Sequence, residues 1–295
     1  MESKTAGGRP ALFCFGLGYS AEILGQALMA QGWSVAGTCR SPETRDRLRE
    51  KGFEVHLFER GRKLAEARDI LNAATHLLSS IPPDSEGDPV IDLRGGDLES
   101  LTRLRWVGYL STTGVYGDRG GAWVDETSAL QPTGERGKRR VAAEAAWLDL
   151  HRRHGLPVHI FRLAGIYGPG RNALETVRAG RAQRIEKKGQ VFSRIHVADI
   201  AAVLRASFDR PRPGAIYNLC DDDPAPPQDV VEFACRLLGV APPPLVPFEH
   251  AQLSDMARSF YADNKLVSNR LIKEELGVRL TYPSYKDGLT ALLAK

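Results

Sequence analysis

The residues with the clearest chemistry stand near the start of the chain, in the turn Gly16-Leu17-Gly18-Tyr19-Ser20-Ala21. An apolar run, Ala11–Phe15, leads into this turn, and residues 21–31 leave it with helical spacing. That context, more than the glycines, points to a pyrophosphate cradle. Gly16 permits the tight turn, Gly18 lets backbone N–H groups close on a phosphate, and Ala21 is small enough for helix–strand packing. The helix N-terminus then aims donors and partial positive charge at the anion. A glycine turn without a ligand is the plainer alternative.

The end of the next strand selects the dinucleotide. An acid there would take the ribose 2′-OH of NAD, and an arginine would take the 2′-phosphate of NADP. The chain reads Thr38-Cys39-Arg40-Ser41, so the expectation is NADP, with Arg40 and Ser41 at the adenosine ribose. Glu43 keeps NAD open.

These residues need a scaffold, and the pattern supplies one. Short apolar runs alternate with helical stretches, the signature of a parallel sheet with crossover helices. Strands are expected at 11–15, 33–38, 53–58, 75–81, 106–111, 157–163 and 215–220. Helices are expected at 21–31, 42–51, 62–73, 140–154 and 198–208. Pro82-Pro83 stops the fourth strand, since proline cannot continue a ladder. The fold class is α/β, a Rossmann-type doubly wound parallel sheet with a small C-terminal substrate region. Residues 9–220 form the dinucleotide domain, with 164–195 contributing to the substrate cleft. Residues 221–295, where prolines crowd, form the C-terminal substrate region.

From Leu110-Ser-Thr-Thr-Gly-Val-Tyr-Gly117 onward the sequence resembles the extended short-chain dehydrogenase/reductase superfamily, the NAD-dependent epimerase/dehydratase group. The likeness continues through Arg162-Leu-Ala-Gly-Ile-Tyr-Gly-Pro-Gly-Arg171, Arg194-Ile-His-Val-Ala-Asp-Ile200 and Ala215-Ile-Tyr-Asn-Leu-Cys-Asp221. The resemblance implies a Ser or Thr after strand five that hydrogen-bonds the reacting carbonyl. It also implies a Tyr and a Lys, four apart on the following helix, that move the proton and hold the nicotinamide ribose.

Mapped onto this chain, the hydroxyl is Thr112, but Arg136 stands at the Tyr position and Arg140 at the Lys position. Arginine does not deprotonate in proteins, so Arg136 cannot shuttle a proton, whereas Arg140 could still hold a ribose. The block Ser79-Ser80-Ile81-Pro82-Pro83 is similar to atypical members that keep the cradle without the Tyr/Lys pair; it places Ser79, Ser80 and Ile81 on the cofactor. Two literal Tyr-x-x-x-Lys matches, Tyr261 to Lys265 and Tyr282 to Lys286, lie beyond the last core strand and read as coincidence.

Tyr116 and Tyr167 are expected at strand ends on the nicotinamide side, where either could be a replacement proton donor and packing is the plainer role for both. Arg162 and Arg171 could bind an anion or make salt bridges. Asp199 is expected to steady a helix start, with His196 a structural neighbour, and His151 and His154 have no evident carboxylate partner for a metal site.

Composition bounds the rest. A net charge of +4 is too mild for nucleic acid and suits a small anionic substrate. Cys14, Cys39, Cys220 and Cys235 are scattered without a CxxC pair, so no metal or disulfide framework is expected. No signal core or apolar membrane run is evident, which suggests a cytoplasmic protein without a membrane partner. A homodimer is a family expectation. Two functions stay open: an NAD(P)-dependent oxidoreductase or epimerase-like enzyme with a non-standard proton donor, and a non-catalytic NAD(P)-binding redox sensor or docking protein.

Overall fold

Strand β1 (Ala11–Phe15) is almost wholly buried, as an interior strand of a parallel sheet must be when helices cover both faces. The structure, a computed structural model, describes residues 9–294. After β1 come α1 (Tyr19–Met29), β2 (Ser34–Cys39), α2 (Pro42–Glu50), β3 (Glu54–Leu57), α3 (Ala67–Ala73), β4 (His76–Ser79), α4 (Pro89–Glu99), β5 (Trp106–Thr112) and α5 (Glu135–His154). With the later strands Val158–Leu163 and Ile216–Leu219 they make a seven-stranded sheet. Its order is Ile216–Leu219, Val158–Leu163, β5, β4, β1, β2, β3. β1 pairs in parallel with β2 and β4, β2 with β3, and β4 with β5. The chain reverses direction across the sheet after β3, so β1 and β4 flank the switch point at which such sheets bind ligands.

The chain divides into two compact units. One takes the chain up to Ser111 with Ala142–Ile160 and Ser207–Ala215; the other takes Thr112–Val141, Phe161–Ala206 and the chain from Ile216. In the first unit α1 buries Ala21, Leu24, Gly25 and Leu28, one face at helical spacing. Gly25 allows the close approach, because a Cβ there would lie 2.6 Å from the Phe53 ring. Trp33, His76, Trp106 and Phe208 pack as an aromatic cluster with ring centroids 4.5–5.5 Å apart in the pairs Trp33–Phe208, Trp33–His76, His76–Phe208 and Trp106–Phe208.

Helix α4 was not anticipated. Gly95 and Gly96 interrupt its pattern, yet Asp88 caps it by accepting from the Val90 and Ile91 N–H groups, and Pro89 occupies the first turn. The other Asp88 oxygen accepts from the Trp147 indole at 2.9 Å. Helix α3 begins at Ala67, five residues later than expected, because Glu66 adopts a left-handed φ of 51° that a helix cannot contain. Helix α5 starts five residues earlier than expected, at Glu135.

In the second unit, helices Ala173–Arg178, Pro227–Leu238 and Tyr285–Leu293 share a core that includes Leu174, Val230, Ala234 and Leu289. The four cysteines are free and buried. Among the described residues no helix is long and apolar enough to cross a membrane, and no group of three or more metal-ligating side chains converges.

Candidate functional site

The glycine turn is held from below by a residue not singled out in the sequence. Thr38, fully buried at the end of β2, accepts from the Gly16 N–H through its hydroxyl at 2.9 Å, and its carbonyl accepts from the Leu17 N–H at 2.7 Å. Gly16 has φ +87°, the left-handed region, so a side chain there would be strained whatever the space. Ser80 donates to the Gly16 carbonyl at 2.6 Å and stands only 2.8 Å from where a Gly16 Cβ would lie. Ser80 and Ile81 therefore pack beneath the turn, which fixes its path from the β4 side.

The rim of the turn is open. A Cβ on Gly18 would meet nothing within 4 Å, and no side chain caps the N-terminus of α1. Tyr19, Ser20 and Ala21 supply the first turn of that helix, whose leading N–H groups have no intrahelical acceptors. The Ser79 hydroxyl, at the end of β4, is fully buried and has no hydrogen-bond partner among the described residues. An uncapped helix start, empty space over a glycine and an orphaned buried hydroxyl fit a dinucleotide pyrophosphate.

At the end of β2, Arg40 is exposed and makes no hydrogen bond or ion pair among the described residues. Ser41 is occupied as the α2 cap, accepting from the Thr44 N–H at 3.2 Å. The Glu22 carboxylate is engaged by Arg47 and Lys51 at 2.9 and 2.5 Å, and these contacts hold it below the usual carboxylate range.

In the second unit the Thr112 side chain accepts from the Gly114 N–H at 3.1 Å, which starts the single turn Thr113–Tyr116. Gly117 closes the turn with φ +69°, and a Cβ there would overlap the Gln131 carbonyl oxygen at 1.8 Å. Gly137, at the start of α5, lets that helix approach the turn, since its Cβ would lie 3.0 Å from the Gly114 oxygen. Arg136 is exposed with its guanidinium 5.8 Å from the Phe260 ring, and Arg140 is half-buried one turn further along α5. Within the first unit, Ser111 donates to the buried Glu144 carboxylate at 2.5 Å, a link between β5 and α5 with no local signature.

Tyr116 has no exposed surface. Its hydroxyl donates to the Asn218 side-chain oxygen Oδ1 at 2.7 Å and accepts from Arg162 at 2.9 Å. Burial pushes its pKa up to about 12, against the opposing pull of Arg162. Glu126, missed from sequence, accepts from the Asn218 N–H at 2.8 Å and completes the network. The Tyr167 hydroxyl donates to the Ser284 carbonyl at 3.2 Å, and burial raises its pKa as well.

The literal motif at Tyr261 turns out to share this neighbourhood. Lys265 donates to the Gly117 carbonyl at 2.9 Å and to Asp263 at 3.2 Å, and its pKa is lowered by burial. Lys286 of the other match is drawn to Asp223 at 3.5 Å. Asp199 accepts from the Thr281 and Tyr282 N–H groups at 2.7 and 3.0 Å, so it anchors the chain near its end, while His196 accepts from the Ala198 N–H at 3.2 Å at the start of the next helix. His154 lies 3.6 Å from Glu99, a partner that sequence spacing could not reveal.

A family model described as the NAD dependent epimerase/dehydratase family matches residues 98–220. Protein YeeZ of Escherichia coli strain K12 is 30% identical over 280 residues, covering 91% of this chain and 94% of YeeZ. A solved structure of a functionally unknown conserved protein from Silicibacter pomeroyi is 52% identical with a TM-score of 0.89, covering 97% of this chain and 98% of that one. A Methylobacillus flagellatus structure described as an NAD-dependent epimerase/dehydratase is 25% identical with a TM-score of 0.69, over 97% of this chain and 98% of that one. The chain belongs to the NAD-dependent epimerase/dehydratase family.

Proposed function

We propose that the chain is an NADP-dependent oxidoreductase or epimerase-like enzyme that acts on a small, anionic substrate without a Tyr/Lys proton pair. The observation that carries the cofactor preference is Arg40, exposed beyond β2 with its guanidinium uncommitted. A ribose 2′-phosphate would give it a charge-assisted, bidentate partner, and no acid stands at that position to receive a 2′-OH instead. Gly16, Gly18 and the first turn of α1, formed by Tyr19, Ser20 and Ala21, would hold the pyrophosphate. Ser41, Ser79, Ser80 and Ile81 would shape the surrounding wall. When bound, the nicotinamide supplies hydride exchange. The chain's own part is to polarise the substrate oxygen through Thr112 and to hold a ribose or anionic group with Arg140.

The test is a titration with NADPH and NADH, followed by a screen of carbonyl compounds for NADPH oxidation. Arg40→Ala should weaken NADPH roughly 10- to 100-fold, about 1.4–2.7 kcal/mol, and leave NADH within about threefold. Tighter NADH than NADPH binding in the wild type overturns the preference.

A second reading, a redox-sensing NAD(P)-binding protein without turnover, draws on Arg136 and Arg140 at the Tyr and Lys positions and on the doubly committed Tyr116 hydroxyl. Tight NADPH binding with no turnover, and proteolytic patterns that differ between NADP+ and NADPH, would favour it.

A further inference from the structure

In the sheet order β4, β1, β2, β3, the outer two strands are separated by three strand spacings, about 14 Å. The loops at their carboxyl ends nevertheless meet. Arg60, three residues past β3, donates from Nε and Nη2 to the two Asp84 oxygens at 2.7 and 2.9 Å. Its Nη2 also donates to Asp92, in the first turn of α4, at 2.7 Å. Asp84 lies just beyond Pro82-Pro83, and its Oδ1 organises its own turn by accepting from the Glu86 and Gly87 N–H groups at 2.8 and 3.2 Å. A backbone hydrogen bond from the Asp84 N–H to the Gly87 carbonyl at 2.9 Å tightens it further. The carboxylate that receives Arg60 is therefore preset rather than recruited.

Because these strands are parallel, their carboxyl ends lie on one side of the sheet. The Arg60 bridge joins loops on either side of the ends of β1 and β2, which carry the Gly16 turn and Arg40. A dinucleotide at this kind of crevice lays its adenosine half over those two strand ends. The bridge is bidentate on one carboxylate and shared with a second, a geometry far more rigid than a single surface pair. Its groups are partly exposed, with side-chain accessibilities of 23% for Arg60, 40% for Asp84 and 36% for Asp92, so it can open without disturbing the core.

We propose that the Arg60–Asp84–Asp92 bridge is a strap across the adenosine end of the cofactor crevice, with Arg60 a positioning residue that governs how fast the dinucleotide leaves. This rests on the cofactor reading above. The strap does not contribute to the chemistry of hydride exchange. It restrains the two loops between which the adenosine must pass.

Stopped-flow measurement of NADPH association and dissociation tests it without any turnover. Arg60→Met should raise the dissociation rate about tenfold, and association should also quicken because the entrance is no longer tied. Arg60→Lys, which keeps the charge but loses the fork, should fall between Arg60→Met and wild type. Asp92→Ala removes one of the three contacts and leaves the Asp84 pair; it should raise dissociation by about threefold, and it serves if Arg60→Met fails to fold. A merely structural bridge would lower the melting temperature and leave both rates alone. If wild type binds NADPH and these variants match it within twofold, the strap is wrong while the cofactor reading stands. If wild type binds neither NADPH nor NADH, both fall together.

Discussion

Arg162 donates to the Tyr116 hydroxyl at 2.9 Å with its guanidinium 5.0 Å from the same ring, and both side chains are cut off from solvent. The same hydroxyl donates to Asn218, so its hydrogen and an acceptor lone pair are both in use. A buried arginine needs acceptors, and Tyr116 is one of them. The pair links the turn that follows Thr112 to the strand Val158–Leu163 and, through Asn218, to the strand Ile216–Leu219.

Tyr116→Phe should therefore lower stability rather than remove activity. It leaves one Arg162 donor without its acceptor in a dry site, at a cost of about 1–3 kcal/mol. Urea denaturation should show the loss as a lower midpoint, with any NADPH-dependent turnover kept within about fivefold. Abolished turnover at unchanged stability would return Tyr116 to the role of proton donor.

Thr112 separates two roles that one hydroxyl can hold. Its oxygen caps the Gly114 N–H, so Thr112→Ala should cost about 1 kcal/mol of stability. If its hydroxyl hydrogen also serves the substrate oxygen, kcat should fall about 100-fold or more in the same variant. Thr112→Ser should retain both. Loss of stability alone, with kcat unchanged, would confine Thr112 to the cap.

His159 makes folding sensitive to acid. Its Nδ1 donates to the Val107 carbonyl at 3.2 Å, and its Nε2 accepts from the Arg212 N–H at 2.9 Å, which requires the neutral ring. Burial pulls its pKa down from the ordinary 6.5 to about 4. The unfolded chain thus takes up this proton first as pH falls. The stability is fully present above pH 6.5, is lost progressively down to about pH 4, and amounts to about 3 kcal/mol in all. Urea midpoints between pH 7.5 and 4.5 should fall less steeply in His159→Gln than in wild type.

Asp221 acts in the opposite sense. It is 2% exposed with its carboxylate buried, and burial pushes its pKa up to about 8 although Arg194 and the Asp223 backbone N–H oppose the shift. The folded state holds this proton where the unfolded chain has already released it. Stability therefore falls as pH rises from about 4 to about 8, by up to about 5 kcal/mol. Asp221→Asn should melt higher than wild type at pH 9 and close to it at pH 5. Equal melting temperatures at both values would show that Asp221 is ionised and solvated.

The strand–glycine turn–helix unit was legible because everything that makes it is local: an apolar strand, a glycine that tolerates φ +87°, an open glycine beside it and a helix start, all between Ala11 and Met29. The position of Arg40 immediately after its strand was legible for the same reason. The parallel sheet followed from the alternation of apolar runs and helical spacing, although Gly95 and Gly96 masked α4 and the φ of Glu66 shortened α3. No local rule could tell whether a tyrosine or lysine was free to do chemistry. That depends on which distant groups fold against it. Tyr116 is bound by Arg162 and Asn218, 46 and 102 residues away, and Lys265 is carried 148 residues back to Gly117. The strap is likewise made by folding, since Arg60 and Asp92 are 32 residues apart with a buried strand between them. Backbone geometry and apolar periodicity are written over a few neighbouring residues, so the sequence alone determined the sheet and the glycine turn. The partner of a polar side chain is chosen by chain packing, and only the tertiary structure could decide it.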